Sequence, residues 1–255
     1  MARLAIVTGA AGDIGRSIAA RLRPDHDAVV LADRDLSAAK AAADHLGEAF
    51  IAVECDVTSP ESCERLAALA QEAGEVATLV NNAGAARAAG LHSTGVDDWM
   101  ADRALNLDAA FLTFRALAPS LIRARGSVVN IVSVNGMAVF GHPAYSAAKA
   151  GMIHLTRLIA VEYGRHGVRA NAVAPGTVRT QAWQARAAKN PDVFREAAAH
   201  YPLGRIVDPQ DVAEAVWFLS SPHAAAITGT CLPVDCGLTA GIPALARTFT
   251  QTDDY

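Results

Sequence analysis

Little in this chain points to a metal, a membrane or a nucleic acid. Its four cysteines, Cys55, Cys63, Cys231 and Cys236, fit no common zinc-ligand spacing, and its eight histidines contain no H-x-x-x-H pair. Free, mostly buried thiols and no metal are expected. The chain lacks a basic run and its formal net charge is -4, which gives no support to nucleic-acid binding. No apolar stretch approaches the roughly 20 residues of a membrane helix. The first strand-like run, Leu4–Val7, leaves no room for a secretory leader. A cytoplasmic location is therefore expected. Internal repeats, low-complexity tracts and linkers are also missing, so residues 1–255 read as one domain. Lysine is scarce, at three residues, and one of the three matters below.

What is present is a steady alternation. Short β-branched runs fall at Leu4–Val7, Ala28–Ala32, Ala49–Glu54, Thr78–Val80, Ser127–Val132, Arg169–Val173 and Thr230–Val234. Alanine-rich helical stretches lie between them, at Ile14–Leu22, Leu36–Leu46, Pro60–Ala73, Val96–Arg123, Ala144–Tyr163 and Pro209–Leu219. Many of the strands are apolar throughout, as in a parallel sheet covered on both faces. The alternation predicts a doubly wound, Rossmann-like α/β sheet of about seven parallel strands with helices on both faces. A segment at about 179–205 is helical in composition but breaks the rhythm, and is expected to form a substrate loop.

Directly after the first strand comes Thr8-Gly9-Ala10-Ala11-Gly12-Asp13-Ile14-Gly15. Glycines let the backbone turn tightly and approach a pyrophosphate, and the helix that follows offers free N–H groups and a positive dipole end. Asp33 closes the second strand, 18 residues after Gly15. An acid there accepts hydrogen bonds from the ribose hydroxyls of an adenosine. Further along, Tyr145 and Lys149 are four residues apart near the start of a long helix, on one face. A neighbouring ammonium favours the phenolate and makes Tyr145 a credible general base. Ser133 ends the preceding strand, at the sheet edge where ligands bind in such folds.

Together these residues resemble the short-chain dehydrogenase/reductase family over essentially the whole chain. Thr8–Gly15 resembles its Thr-Gly-x-x-x-Gly-x-Gly turn, Cys55-Asp56-Val57 its adenine-contacting Asp-Val pair, and Asn81-Asn82-Ala83-Gly84 the motif after its fourth strand. Asn106, Ser133, Tyr145 and Lys149 match its catalytic tetrad, and Ala174–Thr180 the segment that holds the nicotinamide carboxamide. Pro202-Leu203-Gly204-Arg205 and Thr228-Gly229 fit later markers. The resemblance implies Tyr145 as acid/base, Lys149 on the nicotinamide ribose while lowering the tyrosine's pKa, Ser133 on the substrate oxygen, and Asn106 holding a water that links Lys149 to solvent. It places the cofactor on Gly9, Gly12, Asp13, Ile14, Gly15, Asp33, Asp56, Val57, Asn82, Ala83, Gly84, Tyr145, Lys149, Pro175, Gly176, Val178 and Thr180. Three positions depart from the pattern. Asp13 stands where a glycine is usual; aspartate tolerates positive φ, and its carboxylate is expected to point away from the pyrophosphate. Val134 replaces a second serine, and Cys236 replaces a glycine near the C-terminal end.

Substrate contacts are expected from Ser133, Asn135, His142, Tyr145 and Trp183, with Met137, Phe140 and Gln184 nearby. His142 reads more readily as a plain loop histidine, and Trp183 as packing for the loop; Arg87 and His92 read as surface charge more readily than as substrate contacts. The reading that results is an NAD(H)-dependent oxidoreductase moving a hydride to or from a secondary alcohol (polyol, sugar or similar). An NADPH-linked 3-oxoacyl thioester reductase is the alternative, and a non-enzymatic dinucleotide-binding regulator ranks below it because the tetrad is intact. The resemblance also implies a homo-oligomer, a tetramer or else a dimer.

Overall fold

Apolar strands require cover on both faces, and the chain supplies it with helices on either side. The computed structural model of the protein describes residues 1–183, 187–188, 190–252 and 254; Gln184, considered above as a substrate neighbour, lies outside them. Seven strands form one sheet: β1 (Arg3–Thr8), β2 (Ala28–Asp33), β3 (Phe50–Glu54), β4 (Glu75–Asn81), β5 (Ser127–Ile131), β6 (Arg169–Pro175) and β7 (Cys231–Val234). Their order is β3-β2-β1-β4-β5-β6-β7 and every pairing is parallel. The order reverses between β1 and β4, and a crevice for ligand opens at the carboxyl ends of strands at such a point.

Helices α1 (Asp13–Leu22), α2 (Leu36–Leu46) and α8 (Pro209–Ser220) cover one face, where Ile18, Leu22, Leu31, Val212 and Leu219 are buried together. Helices α3 (Pro60–Ala73), α5 (Ala109–Ala124) and α6 (Pro143–Tyr163) cover the other, around Ile6, Leu66, Leu79, Phe114 and Leu121. Local chemistry sets the ends. The Asp35 side chain accepts the Ala38 N–H to cap α2, and Ser59 accepts the Ser62 N–H to cap α3 ahead of Pro60.

The stretch predicted as one helix from Val96 begins as α4 (Val96–Arg103) and continues into α5 through a π turn at Ala104–Asp108. At 29 residues, with a window of mean hydropathy 1.2, Val96–Ala124 is long and apolar enough by composition to cross a membrane. The expectation that no stretch comes near that length is corrected here. Half of the apolar window is buried inside the protein, against α3, the sheet and α6, as a core helix would be. In the segment at 179–205 the described residues include a short turn, Gln181–Trp183, and α7 (Val193–Ala198). A C-terminal helix that the sequence reading did not foresee, α9, spans Pro243–Thr250.

Candidate active site

The glycine-rich turn between β1 and α1 is shaped by close backbone approach. Gly9 has φ +62, and a Cβ on it would lie 2.8 Å from the Ala83 Cα; a Cβ on Gly15 would lie 2.5 Å from the Gly9 carbonyl oxygen. Asn82 braces the turn by donating from Nδ2 to the carbonyls of Thr8 and Gly9 at 2.9 and 3.0 Å. The Thr8 hydroxyl accepts the N–H groups of Asn82 and Ala83. Gly12 is the N-cap of α1, which leaves the first amides of that helix open toward the crevice. Asp13 corrects one expectation: it needs no positive φ, being the first helical residue, and among the described residues of the turn only Gly9 has one. Its carboxylate is turned to the Gln181 N–H at 2.6 Å and to Arg16.

From the turn a groove of about 800 Å³ runs along the strand ends, lined by Gly9, Ile14, Asp33, Asp56, Val57, Asn82, Gly84 and Thr180 among others. The volume is that of a large small-molecule site. Asp33 is fixed at its far side: Oδ2 accepts the Ala11 N–H at 3.0 Å and Oδ1 the Asp35 N–H at 3.1 Å. Bonds from the Thr58 hydroxyl and N–H hold the Asp56 carboxyl below the usual carboxylate range, with a smaller push from Arg34. Cys55 also lines this groove; all four cysteines are free.

The residues expected to do chemistry, Ser133, Tyr145 and Lys149, do not line this groove; Lys149 Nζ approaches it only beside Gly84. Lys149 is buried, and its Nζ donates to the Ile131 carbonyl at 2.8 Å and lies 5.6 Å from the centre of the Tyr145 ring. Burial alone pushes the Lys149 pKa down to about 7. The expectation that the lysine lowers the tyrosine is not met in this geometry. Desolvation raises the Tyr145 phenol above its ordinary value, and a hydrogen bond with Ser133 pulls it back only in part; the Asp102 carboxylate adds to the rise. Asn106 sits in the π turn, where its side chain reaches back across the chain: Nδ2 donates to the carbonyls of Ala85 and Asp102 at 2.7 and 2.9 Å. Its Oδ1 is buried with no hydrogen-bond partner among the described residues. A Cβ placed on Gly84 would be 2.8 Å from that oxygen and 3.3 Å from Lys149 Nζ, so both polar atoms face one point.

The sequence reading overlooked the supports behind this set. A buried chain of bonds crosses the sheet from the Thr113 hydroxyl to Asn81 Oδ1, from Asn81 Nδ2 to Asn130, and from Asn130 Nδ2 to Thr156. Asp102, fully buried one turn before Asn106, is paired with Arg87 at 2.5 Å and also accepts the Arg87 N–H. Arg87, read above as surface charge, therefore neutralises a buried carboxylate. An asparagine inside an otherwise apolar strand, as at Asn130, is the signal that was available.

Of the expected substrate contacts, Asn135 ties its own loop together. It donates from Nδ2 to Gly141 and Ser146 and from its N–H to Ser133 Oγ. His142 caps the entry to α6 with φ +53; its Nδ1 bonds the Ala88 carbonyl at 2.9 Å and its N–H the Ala89 carbonyl. Trp183 packs at 6.1 Å against Phe194. In the segment at 179–205, the strap that follows β6, Tyr201 carries no sequence signal of its own yet receives the Thr177 N–H on its hydroxyl at 2.8 Å, and its ring closes on Gly176. Pro175 and Val178 are buried, Val178 bridging to Val207, while Thr180 reaches the groove.

A seven-stranded parallel sheet, a glycine turn under a helix N-terminus, and a neighbouring Ser133-Tyr145-Lys149 set invite comparison with known enzymes. A family sequence model described as "Enoyl-(Acyl carrier protein) reductase" matches residues 9–239. The chain is similar to a solved short chain dehydrogenase/reductase family oxidoreductase from Burkholderia thailandensis, at 45% identity and TM-score 0.94, covering 100% of each chain. The chain belongs to the short-chain dehydrogenase/reductase family.

Two curated relatives are similar to this chain over nearly its whole length. Galactitol 2-dehydrogenase (L-tagatose-forming) of Cereibacter sphaeroides is 36% identical over 241 residues, 92% of this chain and 94% of that one. The 3-oxoacyl-[acyl-carrier-protein] reductase FabG of Vibrio cholerae is 38% identical over 239 residues, 92% and 97% of the two chains. The protein is an oxidoreductase of this family, acting on alcohols or ketones with a nicotinamide cofactor.

Proposed function

We propose that this enzyme is an NAD-linked dehydrogenase of a small secondary alcohol, in the class of polyols and sugars. The reaction moves a hydride between the carbinol carbon and the nicotinamide, which is the chemistry the cofactor supplies. Tyr145 takes the hydroxyl proton as the carbonyl forms, or returns it in the reverse direction. Ser133 holds the substrate oxygen beside the phenol. Lys149 binds the nicotinamide ribose, and its own proton exchanges with solvent past Asn106, whose unpartnered Oδ1 faces the same point beside Gly84. The groove fits a dinucleotide by its open helix amides, its close glycine backbone and its length toward Asp33.

The observation that carries the choice of NAD is the anchored Asp33. Its two oxygens already accept backbone N–H groups, so the carboxylate stays at the groove wall. Ribose hydroxyls donate to it, whereas a 2′-phosphate is repelled. Two unit charges about 4 Å apart interact by roughly 4 kcal/mol at an effective dielectric of 20. Screening reduces this to about 2–3 kcal/mol, a preference of roughly 30- to 100-fold at 1.4 kcal/mol per decade. Turning Asp33 away costs its two backbone bonds, at about 1 kcal/mol each. The relative galactitol 2-dehydrogenase supports the polyol class. Free thiols throughout suit the reducing cytosol.

Arg34 favours a second reading, an NADPH-dependent 3-oxoacyl thioester reductase like the relative FabG, because it too lines the groove. The test is the ratio of kcat/KM for NAD over NADP across polyols, sugars, hydroxy acids and 3-oxoacyl thioesters. A ratio of 30 or more with a polyol or sugar is expected. A ratio at or below one puts the reductase reading first.

A further inference from the structure

Asp13 joins two parts of the molecule that are 168 residues apart in sequence. Its Oδ2 accepts the Gln181 N–H at 2.6 Å, and its Oδ1 receives Arg16 Nη2 at 2.5 Å. Gln181 opens the turn at which the strap after β6 leaves the sheet, immediately after Thr180. Asp13, Thr180 and Gln181 line the main groove on one side. On the other side they line a second cavity of about 430 Å³, shared with Arg179, Phe194 and Pro209. The Asp13–Gln181 bond thus forms part of the wall between the two spaces. What it holds is more than one residue. Arg179 stacks over Phe194 at 4.9 Å and pairs with Asp208 at 3.4 Å, and Phe194 packs on Trp183, so the strap's start and α7 are in contact.

A side chain with an oxygen acceptor is needed at position 13 for this link; glycine has none. The acceptor must also be kept off an anion bound at the α1 amides. Arg16 does that by neutralising and orienting the carboxylate, and the first turn of a helix is itself a favourable place for an acid.

On the reading that a dinucleotide occupies the groove, we infer that Asp13 is a positioning residue for the cofactor: by holding Gln181 it clasps the start of the strap, at Thr180 and Gln181, to the pyrophosphate turn and slows cofactor departure. The acceptor oxygen, not the charge, makes the link. Asp13→Asn retains an acceptor for the Gln181 N–H, with Arg16 exposed enough to turn to solvent, whereas Asp13→Ala removes it.

Two measurements test this. Hydrogen exchange of the peptide containing the Gln181 amide is followed by mass spectrometry without added cofactor, and NADH dissociation is followed by stopped-flow fluorescence with an excess of NAD as chase. Asp13→Ala is expected to speed exchange at Gln181 at least tenfold and NADH dissociation three- to thirtyfold. Its cofactor KM should rise while kcat holds or increases. Asp13→Asn is expected to keep most of the protection and a dissociation rate within about threefold of the parent. Faster exchange with unchanged NADH dissociation overturns the role in cofactor retention. So do unchanged exchange in Asp13→Ala and equal losses in Asn and Ala. Failure of the parent to bind NADH or NADPH at all overturns the functional reading itself, and this inference with it.

Discussion

At the scale of single residues, Tyr145, half-buried, and Lys149, buried, show how withdrawal from water works against the chemistry it shelters. Desolvation disfavours both charged forms, so the phenol moves up and the ammonium moves down to about 7. Alcohol oxidation needs the phenolate, whose population grows as pH approaches the raised pKa from below. Oxidation should therefore climb steadily with pH from 6 to 9. Carbonyl reduction needs the phenol proton and should be level over the same range. Tyr145→Phe should leave NADH binding nearly intact and remove about 10²–10⁴-fold of turnover, the usual worth of a general acid–base group. Retention of more than a tenth of the parent rate, or a flat oxidation profile where chemistry limits, would remove Tyr145 from this role. These residues were legible in the sequence because each lies in a short motif at a strand end or helix start. Asp13's partner and the Arg87–Asp102 pair were not. Their bonds join residues that are 168 and 15 positions apart, and no local spacing encodes a contact between a helix and a separate segment.

At the scale of elements, helices with explicit end signals were read to the residue. Leu36–Leu46 and Pro60–Ala73 have side-chain caps that fix where they begin, and glycines at their ends, Gly47 and Gly74. The π turn at Ala104–Asp108 was hidden, because one extra residue in a helical turn leaves the apolar pattern nearly unchanged while re-aiming Asn106. The turn after β7 shows a second kind of strain. Cys236 takes φ +50 where its Cβ is disfavoured, held there while Asp235 accepts the N–H groups of Gly237 and Thr239. A left-handed residue with a side chain costs roughly 1–2 kcal/mol. Glycine at that place relieves the strain but adds about 0.5–1 kcal/mol of chain entropy to be lost on folding. Cys236→Gly should stabilise by about 0.5–1 kcal/mol net, raising Tm by roughly 2 °C for a chain of this size. Differential scanning calorimetry decides it: a lower Tm would show that the Cys236 packing against the core outweighs its backbone strain.

At the scale of the whole molecule, the helices that frame the active site have apolar residues left over. The inner faces of α5 and α6 are buried against the sheet, around Phe114, Leu117, Leu121 and Ile159. Their outer surfaces still expose Phe111 at 48%, Leu158 at 45% and Val161 at 81%, and α4 adds Trp99 and Met100. A helix apolar on more than one face needs a second partner for the remaining surface. A copy of the same chain satisfies this by a two-fold interface, in which each helix meets its own equivalent and the patch is self-complementary. We expect a symmetric homo-oligomer, a tetramer first and a dimer second, and so a sharing of stability between subunits. Leu158→Glu with Val161→Glu puts two carboxylates on each side of such an axis, where they repel one another and lose their water. The pair should reduce the mass in light scattering at micromolar concentration and lower Tm. Neither residue lines the groove, so cofactor affinity should fall much less than Tm does. A parent protein of monomeric mass under the same conditions would refute the assembly, and an unchanged mass in the double variant would move the interface to other surfaces.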